Sequence, residues 1–86
     1  MYRRNEAVQL AAEGQAGTLL DLERGKYYGL DEIGLRIWEF LSVPRSGAAI
    51  VDLLKADYDV RADELERDVN RFIHDLSRKG LVQTVE

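Results

Sequence analysis

The sequence predicts an α+β domain, a three-stranded antiparallel sheet followed by three helices. Two observations carry this. In the first third of the chain, apolar residues recur two apart, and from Ile33 onward they recur three and four apart. Strands therefore precede helices instead of alternating with them, the order of a small antiparallel sheet with helices packed on one face.

Val8, Leu10 and Ala12 give the first strand, Leu20 and Leu22 the second, and Tyr28 and Leu30, within "KYYGL", the third. Gly14 and Gly17 punctuate the first connection and "ERG" the second. A three-residue loop with Gly25 left-handed would pair Leu22 with Lys26 and Leu20 with Tyr28. Leu20, Leu22, Tyr28 and Leu30 would then share a face, with Tyr27 on the opposite one. Asp31 is an N-cap for a first helix bearing Ile33, Ile37, Trp38 and Leu41, which Pro44 forbids to continue. Ser46 caps a second helix with Ile50, Val51, Leu53 and Leu54, ending near Tyr58. Leu65, Val69, Phe72, Ile73 and Leu76 stripe the third, and Gly80 marks its stop. The tail "LVQTVE" alternates, as a last strand or an extended cover. Helices two and three, joined by "DYDVRAD", also resemble a helix-turn-helix, which makes the outline winged-helix-like.

Composition bounds the function. At 86 residues, 1–86 form a single domain with one modest core. The absence of cysteine removes disulfides, thiolate metal ligands and a thiol nucleophile, and makes a cytoplasmic location the default. Glu6, Gln9 and Glu13 interrupt the N-terminal apolar run, so neither a signal peptide nor a membrane anchor is expected. Twelve Lys and Arg against sixteen Asp and Glu, a net charge of −4, disfavour a polyanionic partner. A winged-helix nucleic-acid binder is the alternative reading. Its third helix would, however, bring Asp63, Glu64, Glu66 and Asp68 to the base edges, with Arg67, Arg71, Arg78 and Lys79 interleaved or later. An enzyme is not expected: His74 has no second histidine, and no glycine-rich phosphate loop follows a strand. No cofactor or metal is implied.

The run "LLDLERGKYYGLDEIGLRIWEFL", the second helix ending in "DYDV" and the third closing with "LSRKGLV" carry a resemblance. Asp21, Gly25, Tyr28, Leu30, Asp31, Gly34, Ile37 and Trp38, in this order, resemble the PqqD-like peptide-recognition domains called RiPP recognition elements. Within them the chain is most similar to the stand-alone leader-binding subunits of lasso-peptide clusters. Asp31 stands where the family often has Asn, and both residues cap helices.

The resemblance implies a binding module. It would capture the leader of a ribosomally made precursor peptide and present it to a leader peptidase, a transglutaminase-like cysteine protease. The leader would add as a strand beside Lys26, Tyr27, Tyr28, Gly29 and Leu30. Val69, Phe72, Ile73 and Leu76 of the third helix would form the other wall, against an aromatic residue and a proline of the leader. Each of these four helix residues also has a plain reading as core, as does Trp38, while Tyr27 reads equally as a solvated strand tyrosine.

Overall fold

The computed structural model describes residues 1–85. The chain runs β1 (Tyr2–Arg4), β2 (Val8–Glu13), β3 (Ala16–Asp21), β4 (Lys26–Leu30), α1 (Glu32–Phe40), α2 (Gly47–Asp57), α3 (Ala62–Arg78) and β5 (Val82–Thr84). The α+β class holds, with an antiparallel sheet ordered β2-β3-β4 followed by three helices. The strand at residues 26–30, third in the sequence reading, is β4 here.

The additional strands lie at the two ends. β1 and β5 form a separate antiparallel pair with Tyr2 opposite Thr84 and Arg4 opposite Val82, so Val82–Thr84 of the alternating tail are a strand; its last residue, Glu86, lies outside the described residues. A three-residue strand such as Tyr2–Arg4 leaves too few apolar side chains to register as a period.

The β3–β4 register differs from the expected one. Asp21 pairs with Lys26, Leu20 with Tyr27 and Leu19 with Tyr28, which shifts β3 by one residue. The cause is the loop. Four residues, Leu22 to Gly25, connect the strands, and buried Asp21 closes them by accepting a hydrogen bond from the Arg24 backbone N–H at 3.2 Å. Gly25 does take the left-handed conformation, φ +68°. Because side chains alternate, the one-residue shift turns Leu19 and Asp21 to the core, while Leu22 is 63% exposed. Gly17 lies within β3, not in the first connection; a Cβ there would meet Leu10 Cδ1 at 2.9 Å and Leu35 Cδ1 at 3.4 Å, so its absence lets α1 settle on the sheet.

Both predicted caps form. The Asp31 carboxylate accepts from Gly34 N–H at 2.7 Å, and the Ser46 hydroxyl accepts from Ala49 N–H at 3.1 Å. α3 ends with Gly80 just beyond it and a hydrogen bond from Leu81 N–H to the Leu76 carbonyl. Leu19, Trp38, Ile50, Leu54, Val69, Ile73 and Leu76 fill one core between the sheet and the helices. Among the described residues, no helix is long and apolar enough to cross a membrane.

Arg4 joins β1 to the end of α1. Its Nε and Nη2 donate to the Trp38 carbonyl at 2.9 and 2.6 Å, and its guanidinium lies 5.1 Å from the Trp38 ring centroid. Burial lowers the Arg4 pKa from its ordinary value, an effect the Glu39 carboxylate opposes. The Trp38 carbonyl also accepts from Leu41 N–H at 3.1 Å, and the charge-assisted bonds that Arg4 adds to it contribute about 1.5–3 kcal/mol. Arg4→Ala is expected to lower unfolding free energy by about that amount, measured by denaturant titration.

Candidate peptide groove

β4 has β3 on one side and, among the described residues, no strand on the other. The turn before β3 settles which of its backbone groups face that open side. Gly14 and Gln15 alone connect Glu13 to Ala16, with Gly14 at φ +61° and no non-glycine residue at positive φ. This is the glycine-first hairpin turn, whose flanking pair exchanges both ladder bonds. Bonding then alternates along an antiparallel strand. Ala16, Thr18 and Leu20 direct their backbone to β2, and Gly17, Leu19 and Asp21 direct theirs to β4. Lys26, Tyr28 and Leu30 therefore bond to β3, which leaves the N–H and C=O groups of Tyr27 and Gly29 pointing outward.

The opposite wall is α3. The Tyr28 and Phe72 rings meet edge-on, with centroids 6.4 Å apart and an interplanar angle of 63°. Phe72 can lie there because Gly34 has no side chain: a Cβ at Gly34 would come within 3.2 Å of Phe72 Cζ. The Lys79 ammonium stands 5.5 Å from the Tyr28 centroid, a cation–π contact.

Two hollows flank this aromatic contact. One, of about 300 Å³, is lined by residues that include Arg24, Lys26, Tyr28, Arg78 and Lys79, beside the start of β4 and the end of α3. The other, of about 240 Å³, lies beyond the end of β4 among Ile33, Gly34, Ile37, Leu65, Val69 and Phe72, with Asp31 and Asp68 also lining it.

The site residues expected from sequence divide by accessibility. Lys26, Tyr27 and Gly29 are exposed along the edge, Tyr27 at 80%, and Tyr28 and Phe72 are half-buried between edge and helix. Leu30, Val69, Ile73 and Leu76 belong to the core. Of these four, Val69 also lines the second hollow, while Ile73 and Leu76 turn into the core on α3. Sequence reasoning did not gather Arg24, Arg78 and Lys79 with β4. Arg78 and Lys79 signalled only helix pairing and helix-end charge, and Arg24 only the second connection; it takes the fold to bring the β3–β4 loop against the end of α3. The Arg24 Nη1 donates to the Lys79 carbonyl at 3.0 Å, which closes that junction.

Comparison with known proteins agrees with this architecture. The family profile of Coenzyme PQQ synthesis protein D (PqqD) matches residues 17–82. The solved structure of TbiB1 in complex with the TbiA(beta) leader peptide is 34% identical over 98% of each chain, with a TM-score of 0.87. The structure of lasso peptide synthetase B1 complexed with the leader peptide is 24% identical over 96% of this chain and 98% of that one. Its TM-score of 0.82 makes the likeness one of fold. No curated protein sequence matches. With a profile that runs from the second residue of β3 to the first residue of β5, and a relative of one-third identity aligned over 98% of each chain, the chain belongs to the PqqD family and is a PqqD-like RiPP recognition element.

Proposed function

We propose that this protein binds the leader segment of a ribosomally synthesised precursor peptide as a strand added to β4, against α3, and presents it to a leader peptidase in lasso-peptide maturation. The observation that carries the proposal is the free edge at Tyr27 and Gly29 beside a groove walled by Tyr28 and Phe72. An extended peptide satisfies unpaired edge groups through its own main chain, and pockets beside the edge select its side chains. The likeness to TbiB1, solved with a leader peptide, supports the same ligand class. Lys26, Tyr27, Tyr28, Gly29 and Leu30 supply the edge. Val69 and Phe72 supply the groove wall, with Ile73 and Leu76 beneath.

The protein acts as a binding module in this reading, and the chemistry belongs to the peptidase, a transglutaminase-like cysteine protease. Holding the leader raises its local concentration at that enzyme. The first turn of α3 carries Asp63 and Glu64, the wrong sign for a helix reading nucleic acid.

Calorimetry with a synthetic leader of the precursor encoded beside this chain tests the proposal. The expected result is one-to-one binding at about micromolar Kd or tighter, with none to the core peptide. Equal binding to both, or to neither, would sink it. Raising salt from about 50 to 200 mM should cost only a few-fold in affinity, against about a thousandfold or more for a protein that contacts many phosphates.

A further inference from the structure

The two ends of the groove carry opposite charge, in a chain whose net charge is −4. At the start of β4, four cations and one carboxylate, Asp21, surround the larger hollow. Two of the cations are committed within the protein. Arg24 bonds to the Lys79 carbonyl and stands 3.8 Å from Asp21, which is only 4% exposed, and Lys79 covers the Tyr28 ring. Lys26 and Arg78 are exposed, and among the described residues neither belongs to any of the three ion pairs. Lys26 shares the strand face of Tyr28, which turns it toward α3. At the other end, Asp31 and Asp68 line the apolar hollow, and Asp59 and Glu64 lie beyond it.

The two walls agree on the separation of these ends. From Lys26 to Asp31 the extended chain covers roughly 17 Å, at about 3.3 Å per residue. From Asp68 to Arg78 the helix covers roughly 15 Å, at about 1.5 Å per residue. An extended peptide crosses that distance in about five residues. Every pairing in the sheet is antiparallel, and a peptide continuing the pattern would enter with its N-terminal side at Asp31 and Asp68 and leave past Lys26 and Arg78.

We infer that Lys26 and Arg78 form an anion subsite, which takes an Asp or Glu side chain of the leader about five residues C-terminal to its apolar anchor. The inference rests on strand addition at β4 and adds to it a charge, a spacing and a direction. The anchor fills the hollow at Phe72, and the carboxylate is held at the far end by two cations that form no ion pair among the described residues. Asp31 and Asp68 repel the same carboxylate from the wrong end, which gives the groove a polarity its apolar walls lack.

The test is selection from a displayed library of random twelve-residue peptides, on the wild type and on the double variant Lys26→Glu/Arg78→Glu. Binders are then checked for shifts of the Tyr27 and Gly29 amide resonances, and circular dichroism confirms that both proteins are folded. Wild-type binders should be enriched in Asp or Glu on the C-terminal side of an aromatic or aliphatic anchor, and the double variant should exchange that preference for Lys or Arg. A synthesised wild-type binder should lose about fivefold in affinity when its acidic residue becomes Gln, and nothing further on the double variant. Binders that shift the β4 amides but show no acidic preference, or show it on the N-terminal side, overturn the anion subsite and leave strand addition standing. If no peptide perturbs β4, strand addition itself fails and the subsite with it.

Discussion

Gly29→Pro is expected to fold as the wild type does and to bind leader about ten- to a hundredfold more weakly, the loss set by one missing donor and one stranded acceptor. Proline removes the N–H that faces the open edge and leaves the ladder bonds to β3 intact, and edge strands tolerate it at such positions. Nothing lies within 4 Å of where a Cβ at Gly29 would sit, so a side chain begins there without a clash. Tyr28→Pro is the control. Its N–H bonds to β3 and its side chain packs on Phe72, so that variant should unfold or aggregate. Circular dichroism and a leader titration give both results. Normal binding by a folded Gly29→Pro would place the leader elsewhere.

The other large effect concerns the register. Leu19→Ala should cost about 2–5 kcal/mol, because it empties a fully buried position of the core. In a domain of this size that is a large part of the total, about 5–10 kcal/mol. Leu22→Ala should change stability by less than about 0.5 kcal/mol, since its side chain is mostly in solvent. Urea unfolding of the two variants distinguishes the four-residue loop from a three-residue one, for which the magnitudes would be reversed.

These two cases also show where sequence reasoning succeeds here. The helices were legible because their caps and stripes are local: Asp31, Ser46 and Gly80 mark boundaries through bonds made within a few residues. The β3–β4 register was not, because either loop length yields a plausible apolar face. The choice falls to Asp21, whose burial depends on the backbone of Arg24 and on the end of α3. The edge survives that error. Alternation keeps Tyr28 and Leu30 facing the core in either register, with Tyr27 and Gly29 free. The basic hollow was illegible for a different reason: Lys26 and Arg78 are 52 positions apart in sequence (78 − 26), and only the packed helix makes them neighbours.

The pairing of β1 with β5 has a consequence for how the chain folds. Tyr2 and Thr84 meet across almost the whole sequence, whereas the two hairpins of the main sheet close over two and four residues. Closing so long a loop offers little until its ends are already held near each other, so this ladder is placed among the last events of folding. Once closed, the pair is held by more than its own ladder: Tyr2 exchanges two backbone hydrogen bonds with Arg45, and Val82 is buried in the core. The edge at β4 shares no strand with that pair. The last-formed ladder thus ties Tyr2–Arg4 and Val82–Thr84 to the α1–α2 connection at Arg45, on strands separate from the open edge of β4.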